Sequence, residues 1–243
     1  MTHSDKAALR GEPSYVWRSG QERRLQMIAR WTTLKDATVL DVGCGVGMYT
    51  SRFIERYTPH VYGIEYEAER AREALSNTPH VVVAAAENLP YPSGMFDTLL
   101  SHETLEHVAD DRAAAREMWR VLKVGGRMVI FVPNRWYPFE THGHYWRGEY
   151  HFGNTPLINY LPDVLRNKFA PHVRTYTKRG LLRLFEGLPL KQIHHARIYG
   201  GGDTLARKYG KPGRLIGDMV QRAEGTPFDT FGLSHLLVLE KTP

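Results

Sequence analysis

Short apolar runs alternate with amphipathic segments along the first half of the chain. The apolar runs predict strands at 38–42, 60–64, 81–84, 96–101 and 127–132. Apolar residues at helical spacing predict helices at 14–31, 48–57, 68–76 and 112–121. Strands that alternate with helices build a parallel sheet covered by helices on both faces. The pattern therefore predicts a doubly wound α/β fold.

The alternation breaks after Asn134, where the chain becomes rich in aromatic side chains. Eight of them fall between residues 135 and 160: Trp136, Tyr137, Phe139, Tyr145, Trp146, Tyr150, Phe152 and Tyr160. A long irregular segment inside a compact domain is usually a lid or a binding loop. We therefore expect an ordered, irregular cap that covers a substrate; alternatively, the aromatic rings only pack the cap onto the sheet.

The remainder of the chain returns to regular patterns. They predict a helix at 178–186, a strand at 190–199, a helix at 204–223 broken at Gly-Lys-Pro-Gly, and a final strand at 234–240. We expect one domain over 1–243. Residues 14–134 would form its core, 135–176 the cap insertion, and 177–243 the helices and strands that complete the sheet.

The first strand runs directly into a glycine-dense turn, Asp41-Val-Gly43-Cys44-Gly45-Val-Gly47. Glycines tolerate positive φ angles and let backbone N–H groups come close to a ligand at the start of the next helix. The dinucleotide fingerprint spaces its glycines differently. The turn therefore predicts a site for another small-molecule cofactor, with Cys44 as a small residue beside it.

Composition excludes several classes of protein. The 243 residues contain one cysteine, which rules out an internal disulfide and an iron–sulfur cluster. No apolar run is long enough to span a bilayer, and the first residues lack the apolar region of a secretory signal. We expect a cytoplasmic protein.

Charge is unevenly distributed. Residues 1–133 carry 16 Lys and Arg against 17 Asp and Glu, whereas residues 134–243 carry 16 against 9. The basic second part favours an anionic acceptor or peripheral contact with an anionic membrane; alternatively, it is a solvated basic face. Nucleic acid is not expected as a partner, because the chain has no long Lys/Arg run and no RNA-binding motif.

Four segments in succession resemble the motifs of one enzyme family. They are VLDVGCGVG, Gly-Ile-Glu65, AENLPYPSGMFDTLLSHETLEHV and EMWRVLKVGGRMVIFVPN. In this order they are similar to the class I S-adenosylmethionine (SAM)-dependent methyltransferases of the UbiE/UbiG-like, type 11 group. The resemblance implies a Rossmann-like seven-stranded sheet and SAM as the methyl donor.

The resemblance also implies which residues would hold SAM. Asp41, Gly43, Cys44 and Gly45 would line its methionine end, Glu65 and Tyr66 the ribose, and Ala86 and Glu87 the adenine, with Ser101 at a neighbouring strand end. Ala85 stands where the group often has an aspartate for the adenine amino group. Tyr15 and Arg18 would close over the cofactor; alternatively, this segment only packs on the sheet.

A second group of candidate residues is Glu103-x-x-Glu106-His107. Residues at i, i+3 and i+4 of a helical turn share a face, so two carboxylates and an imidazole would converge. Oxygen ligands suit Mg²⁺, while imidazole shifts the preference toward Mn²⁺, Fe²⁺ or Zn²⁺. The segment resembles that of UbiG-type O-methyltransferases and of small-RNA 2′-O-methyltransferases, in which a later histidine, here His172, completes a metal site.

Other roles for these residues stay open at the sequence level. Glu106 and His107 would, without a metal, satisfy local backbone groups or supply a general base. His142 and His144 in the cap are alternative ligands or bases. Overall, we expect O-methylation of a hydroxylated small molecule such as a quinol, phenol or lipid-like acceptor. The alternatives are metal-independent C- or N-methylation and RNA 2′-O-methylation.

Overall fold

The computed structural model describes residues 15–243, apart from the side chains of residues 203–208 and 214. The strands are β1 (Val39–Val42), β2 (Val61–Glu65), β3 (Val81–Val83), β4 (Phe96–His102), β5 (Leu122–Pro133), β6 (Phe139–Glu140), β7 (His144–Trp146), β8 (Glu149–His151), β9 (Thr155–Pro156), β10 (Leu190–Ile198) and β11 (Ser234–Lys241). The helices are α1 (Ser19–Trp31), α2 (Met48–Arg56), α3 (Ala68–Leu75), α4 (Asp111–Val121), α5 (Asp163–Phe169), α6 (Lys178–Arg183) and α7 (Asp203–Gln221).

Seven strands form one twisted sheet in the order β10-β11-β5-β4-β1-β2-β3. The five central and outer strands β5-β4-β1-β2-β3 run parallel, and β11 is antiparallel to both of its neighbours, β5 and β10. Helices connect β1 to β2, β2 to β3 and β4 to β5, whereas an irregular segment without a helix connects β3 to β4. The prediction of a doubly wound, seven-stranded α/β sheet is confirmed.

The strand order reverses at β1, and this reversal positions the site. β1 pairs with β2 on one side and with β4 on the other. Connections leaving such neighbouring strands diverge to opposite faces, so a crevice opens at their carboxyl ends, where ligands of this fold class bind. The glycine turn follows β1, and residues 103–107 follow β4. Both candidate clusters therefore lie at this crevice.

Alternate residues of β1 point into two different apolar layers. Leu40 and Val42 pack in the layer that contains α4 and α6. Val39 packs in the layer that contains α1 and α2, together with the fully buried Phe53. Because successive side chains of the strand point to opposite faces, both faces of the sheet carry apolar residues, and helices bury them on each side.

Two predicted boundaries shift in the structure. α1 starts at Ser19, with Arg18 as its extended N-cap residue, whereas the pattern placed the helix start at Ser14, which lies outside the described residues. β5 starts at Leu122 instead of Arg127, but the pairing register skips from Leu122 to Arg127. A turn with Gly125 at φ 80° accounts for this irregularity.

The cap is more regular than expected. It contains two antiparallel ribbons, β6 with β9 and β7 with β8, followed by α5. The turn between β7 and β8 consists of Arg147 and Gly148, both at positive φ, which suits a two-residue hairpin turn. The sequence pattern missed these strands because each has only two or three residues.

The C-terminal part follows the predicted order. α6 ends at Arg183, one turn earlier than expected, and α7 is kinked at Gly210, where the Gly-Lys-Pro-Gly break was predicted. Within the described residues, no helix is both long and apolar enough to cross a membrane.

Candidate functional site

The glycine turn between β1 and α2 has the backbone geometry that its sequence predicts. Gly43, Gly45 and Gly47 have φ angles of 76°, 58° and 84°. A Cβ on Gly43 would lie 2.3 Å from the Thr104 hydroxyl oxygen, so the turn packs directly against the loop after β4. A Cβ on Gly45 would meet nothing within 4 Å, which leaves that side of the turn open.

Glu65 at the end of β2 is bound to this turn. One carboxylate oxygen accepts a hydrogen bond from the Gly45 N–H at 2.9 Å, and the other accepts one from the Glu67 N–H at 2.9 Å. Two backbone donors hold the carboxylate at the edge of the crevice. The structure therefore brings Glu65 and the glycine turn together, as expected.

Buried polar atoms without a partner gather around the start of α2 and the ends of β1 and β4. In the described part of the chain, the unpartnered atoms here are Asp41 Oδ2, Tyr49 OH, Thr50 Oγ1, Ser101 Oγ and His102 Nε2. An unpaired buried polar group costs roughly 1–3 kcal/mol. Five such atoms in one region indicate a site that a polar ligand completes.

Burial shifts the pKa of several side chains in this region from their usual values. Burial, followed by the nearby charge of Glu65, raises the pKa of Asp41 to about 7. Burial also raises the pKa of the Cys44 thiol, so Cys44 is a neutral small residue in the turn and has no thiolate for nucleophilic attack. His102 stays neutral, because burial lowers its pKa to about 3.

Tyr49, Thr50 and His102 are site residues that the sequence did not single out. Tyr49 and Thr50 lie in the first turn of α2, and the Tyr49 ring is 4.8 Å from the His102 ring. Trp17 packs edge-on against Tyr49 at 5.2 Å. Their positions directly after the glycine turn and after Ser101 are the only sequence signal that could have found them.

Four other predicted cofactor residues lie in different surroundings. Tyr15 and Tyr66 are exposed, and the Tyr15 hydroxyl donates to Glu73 on α3 at 3.5 Å. Arg18 is exposed at the N-terminus of α1. Glu87 accepts hydrogen bonds from the backbone N–H groups of Ala109 and Asp110, so its carboxylate holds the loop before α4.

Ala86, the remaining residue predicted near the adenine, is buried at 5% exposure. It packs in the apolar layer that contains α4 and α6. Its neighbour Glu87 directs Oε1 toward the loop before α4, so Ala86 supplies an apolar surface there.

The two glutamates of the loop after β4 lie within hydrogen-bonding reach of each other, but each also has its own set of neighbours. Glu103 has a left-handed backbone, φ 52°, and its Oε1 accepts a hydrogen bond from Ser234 at 2.9 Å and lies 3.7 Å from the Arg24 guanidinium. Burial alone would raise its pKa, but Arg24 and neighbouring imidazoles hold the pKa below its usual value. Glu103 is thus an ionised partner of Arg24.

Glu106 is the more deeply buried of the two glutamates. It is 1% exposed, and in the described part of the chain its carboxylate oxygens have no hydrogen-bond partner other than the carboxyl group of Glu103. Burial and the charge of Glu103 raise the pKa of Glu106 well above its usual value. The carboxyl group is therefore held neutral unless a cation or a donor reaches it.

Glu106 converges with His107 and with His142 from the cap. One potential ligand atom from each residue lies within 4.8 Å of the other two. The His107 Nδ1 is 3.3 Å from the His172 carbonyl oxygen, and the His142 Nδ1 is 3.2 Å from Glu140 Oε1. With Nδ1–H donating in both residues, both Nε2 atoms present lone pairs. Two imidazoles and one carboxylate therefore form a ligand cluster that could hold a metal ion.

This cluster differs from the predicted ligand set of Glu103, Glu106, His107 and His172. Glu103 is turned toward Arg24, as described above. The His172 ring contacts the cap backbone, with Nε2 3.2 Å from the His142 carbonyl oxygen. His142 takes the place that we had assigned to His172. His144 lies outside the cluster, with Nδ1 2.9 Å from the Thr155 hydroxyl and its ring against His151.

A small cavity adjoins the cluster. It has a volume of about 170 Å³ and lies between α1, the loop after β4, the cap and β11. Its walls are Arg24, Glu103, Pro133, Thr141, Leu233 and Ser234. Because Thr141 precedes His142 and Glu103 belongs to the Glu106 loop, the cavity and the ligand cluster share a boundary.

A larger, open groove of about 860 Å³ lies at α4 and α6. Four basic side chains line it: Arg112 of α4 and Lys178, Arg179 and Arg183 of α6. None of the residues that line it belongs to the clusters around the glycine turn or Glu106.

Comparison with protein families places residues 40–130 in a family described as a methyltransferase domain. Phosphoethanolamine N-methyltransferase 1 of Zea mays is 30% identical over 122 residues, which span 48% of this chain and 24% of that protein. The 2-methyl-6-phytyl-1,4-hydroquinone methyltransferase of Synechocystis is 35% identical over 112 residues, which span 42% of this chain and 35% of that protein. The match thus spans about a quarter to a third of these curated relatives.

Solved structures match over much more of the chain. An S-adenosylmethionine-dependent methyltransferase from Mesorhizobium loti superposes with a TM-score of 0.63 at 16% identity and covers 92% of this chain and 98% of its own. Geranyl diphosphate C-methyltransferase from Streptomyces coelicolor has a TM-score of 0.62 at 17% identity, covering 98% of this chain and 86% of its own. At such identity, the likeness shows a shared fold. The chain thus contains a region similar to a methyltransferase domain, within a fold that it shares with solved SAM-dependent methyltransferases.

Proposed function

We propose that the protein transfers the methyl group of SAM to a hydroxyl group of a small acceptor that binds beneath the cap, with a divalent metal at Glu106, His107 and His142. The observation that carries this proposal is the junction of three features at one crevice. They are the glycine turn with its unpartnered polar atoms, the ligand cluster, and the cavity that adjoins it.

The region around the glycine turn suits the methionine end of SAM. That end carries an ammonium and a carboxylate, and the unpartnered Asp41 Oδ2 is a buried acceptor for a cationic donor. Approach of a positive charge would favour the ionised form of Asp41, whose pKa is raised in its absence. Glu65 beside the turn offers carboxylate oxygens at the position where the family binds the ribose hydroxyls.

The cavity suits the reactive head of an acceptor. It combines the Arg24–Glu103 ion pair and the hydroxyls of Thr141 and Ser234 with the apolar Pro133 and Leu233. Its volume of about 170 Å³ accommodates only the head group of a phenol or quinol. Two of the relatives are named for such acceptors, a phytyl hydroquinone and tocopherol. We therefore favour a hydroxylated aromatic head.

The donor set fits a divalent metal. Glu106 has two buried oxygens whose only hydrogen-bonding neighbour among the described residues is the Glu103 carboxyl, and the Nδ1 atoms of His107 and His142 face oxygen acceptors, which is the usual arrangement behind metal-bound histidines. Two nitrogens and a carboxylate favour Zn²⁺, Mn²⁺ or Fe²⁺ over Mg²⁺. When bound, such an ion would lower the pKa of an acceptor hydroxyl. Without it, burial favours the neutral forms of the Glu106 carboxyl and the His107 imidazole by raising the pKa of the first and lowering that of the second.

Methyl transfer from a sulfonium is an in-line displacement, so the protein mainly orients the two reactants and removes the acceptor proton. In this chain, the glycine turn and Asp41 would orient the donor. The Arg24–Glu103 pair and Thr141 would orient the acceptor, and the shielded position beneath the cap would exclude water.

An acceptor screen with methyl-labelled SAM tests the proposal. Hydroquinones, simple phenols and primary amines would each be assayed with and without a chelator. We expect label transfer to a hydroxyl acceptor that the chelator abolishes and that Mn²⁺ or Zn²⁺ restores. Transfer unaffected by the chelator would contradict the metal, and transfer to amines alone would contradict O-methylation and favour the N-methyltransferase alternative, for which named relatives also exist.

Two histidine variants give the screen a matched control. His142→Gln removes a ligand from the cluster, whereas His144→Gln changes a histidine two residues away that faces Thr155. We expect His142→Gln to lower metal content and label transfer together and His144→Gln to leave both unchanged. Equal loss in the two variants would indicate damage to the cap and contradict the assignment of His142.

A further inference from the structure

We propose that Glu140 is a positioning residue that fixes the ring orientation and the tautomer of His142, so that His142 Nε2 faces Glu106 and His107. The proposal deepens the proposed function, because His142 is one of the three ligands assigned there. Neither Glu140 nor its partner Arg166 was among the candidate residues in the sequence.

One oxygen of Glu140 contacts His142 at two points. Glu140 Oε1 accepts a hydrogen bond from the His142 backbone N–H at 3.0 Å and lies 3.2 Å from the His142 Nδ1. A carboxylate is an acceptor only, so the proton on the ring must be at Nδ1. Nε2 then carries the lone pair. The His142 ring lies 5.3 Å from the His107 ring.

The other oxygen of Glu140 is held by a buried cation. Glu140 Oε2 accepts a hydrogen bond from Arg166 Nη2 at 2.7 Å, and both side chains are 1% exposed. Arg166 also donates to the Val173 carbonyl at 2.8 Å and to Asn159 Oδ1 at 3.3 Å. Because Arg166 is itself fixed by these partners, Glu140 cannot rotate away from His142. Burial opposes ionisation of Glu140, but His142 and Arg166 keep its pKa below the usual value.

The backbone of His142 is fixed from the opposite side. Its carbonyl oxygen accepts a hydrogen bond from the Tyr150 hydroxyl and lies 3.2 Å from His172 Nε2. His172, which we expected to be a ligand, therefore contacts the backbone of His142, the histidine that belongs to the ligand cluster. Both faces of the cap segment are thus held, and the only free ring atom of His142 is the one directed at the cluster.

The arrangement links the fold of the cap to the assembly of the site. Glu140 belongs to β6 and Arg166 to α5, 26 residues further along the chain. The contact between Glu140 and His142 is local, but Arg166 reaches the carboxylate and fixes it only when α5 packs against β6. An ion pair that only stabilises the cap would need no contact with His142. Here both the backbone N–H and the Nδ1 of His142 face the same oxygen, Glu140 Oε1.

The first experiment reads the tautomer directly in the metal-free protein. Two-dimensional ¹H–¹⁵N spectra of the histidine rings, assigned with His142→Gln, distinguish a proton at Nδ1 from one at Nε2. We expect His142 to carry its proton at Nδ1. A proton at Nε2 would overturn the proposal. This result does not depend on any methyl transfer, so it is separate from a failure of the proposed function.

The second experiment measures metal affinity with Co²⁺ as the probe, followed by its absorption bands. Loss of a group behind a metal-bound histidine typically weakens metal binding roughly 10–100-fold. We expect Glu140→Gln to show a loss in this range, because its amide group cannot be an acceptor for both Arg166 and His142. The matched control Glu149→Gln changes an exposed acid of the same cap and should leave the affinity unchanged.

Variants that fail to fold do not leave the question open. Circular dichroism would first show whether Glu140→Gln retains the wild-type spectrum. If the variant is unfolded, the tautomer of His142 in the wild-type protein still tests the proposal. A folded Glu140→Gln variant with wild-type Co²⁺ affinity and unchanged His142 ring spectra would contradict the positioning role and leave Glu140 as a structural partner of Arg166.

Discussion

At the scale of single residues, the glycine turn and its acidic neighbour form one hydrogen-bonded unit at the crevice. Asp41 is buried at the crevice, and Glu65 binds Gly45 across the turn. Both residues lie at the ends of strands, and the apolar runs in the sequence predict these strands. Tyr49 and His102 could not be predicted in the same way, because a polar side chain in a helix or strand is usually exposed and nothing local reveals its burial.

The metal cluster shows a second limit at the residue scale. Glu106 and His107 lie in one loop, so their spacing suggested a shared site. Their third partner, His142, comes from the cap, and Glu140 is held by a residue 26 positions away. Contacts between such distant segments depend on the folded cap. The sequence could only name candidate histidines, and it favoured His172 over the one that the structure selects.

Asp41 allows a prediction about pH. Its pKa is raised from 3.8 to about 7, so between these values the folded protein keeps a proton that the unfolded chain has released. The free energy of unfolding of the SAM-free protein should therefore fall as the pH rises from about 4 to about 7, by at most about 4 kcal/mol from this group. Asp41→Asn should remove that part of the decline.

Urea denaturation at several pH values between 5 and 8 measures this effect. We expect the difference in unfolding free energy between Asp41→Asn and the wild type to grow in favour of the variant as the pH rises. A difference that stays constant with pH would contradict the raised pKa of Asp41.

At the scale of elements, the sequence predicted the central strands and helices because each is long enough to show a period. The break in α7 at Gly210 and the order of the last strands were also predicted. The cap ribbons were missed, because strands of two or three residues show no period. The extended start of β5 was missed because its first residues leave the pairing register.

The layer beneath α1 and α2 gives a test of packing. Phe53 of α2 is fully buried against residues of α1 and the sheet. Phe53→Ala should lower the free energy of unfolding by about 3–5 kcal/mol, the usual cost of removing a buried aromatic ring. Ile54→Ala, which alters the partly buried neighbour, should cost clearly less.

Urea unfolding followed by circular dichroism gives both values. Equal losses in the two variants would mean that the face of α2 is assigned wrongly. Little loss in Phe53→Ala would contradict the packing of α2 on the sheet.

At the scale of the whole molecule, strand order explains why the two candidate clusters meet. The sheet reverses its winding at β1, and the connections after β1 and β4 open at the same edge. The sequence predicted this edge from the alternation of strands and helices. It could not predict how the cap closes over the edge, because the cap belongs to no repeating pattern and its contacts with the core are set by side-chain shape.

The most direct test of the central claim is calorimetric titration of SAM into the wild type, Asp41→Asn, Glu65→Gln and the surface control Asp163→Asn. We predict saturable binding to one site in the wild type and the control, and at least about tenfold weaker binding, or ~1.4 kcal/mol, in Asp41→Asn and Glu65→Gln. No binding to the wild type, or wild-type affinity in both site variants, would contradict the assignment of the glycine turn as the SAM site.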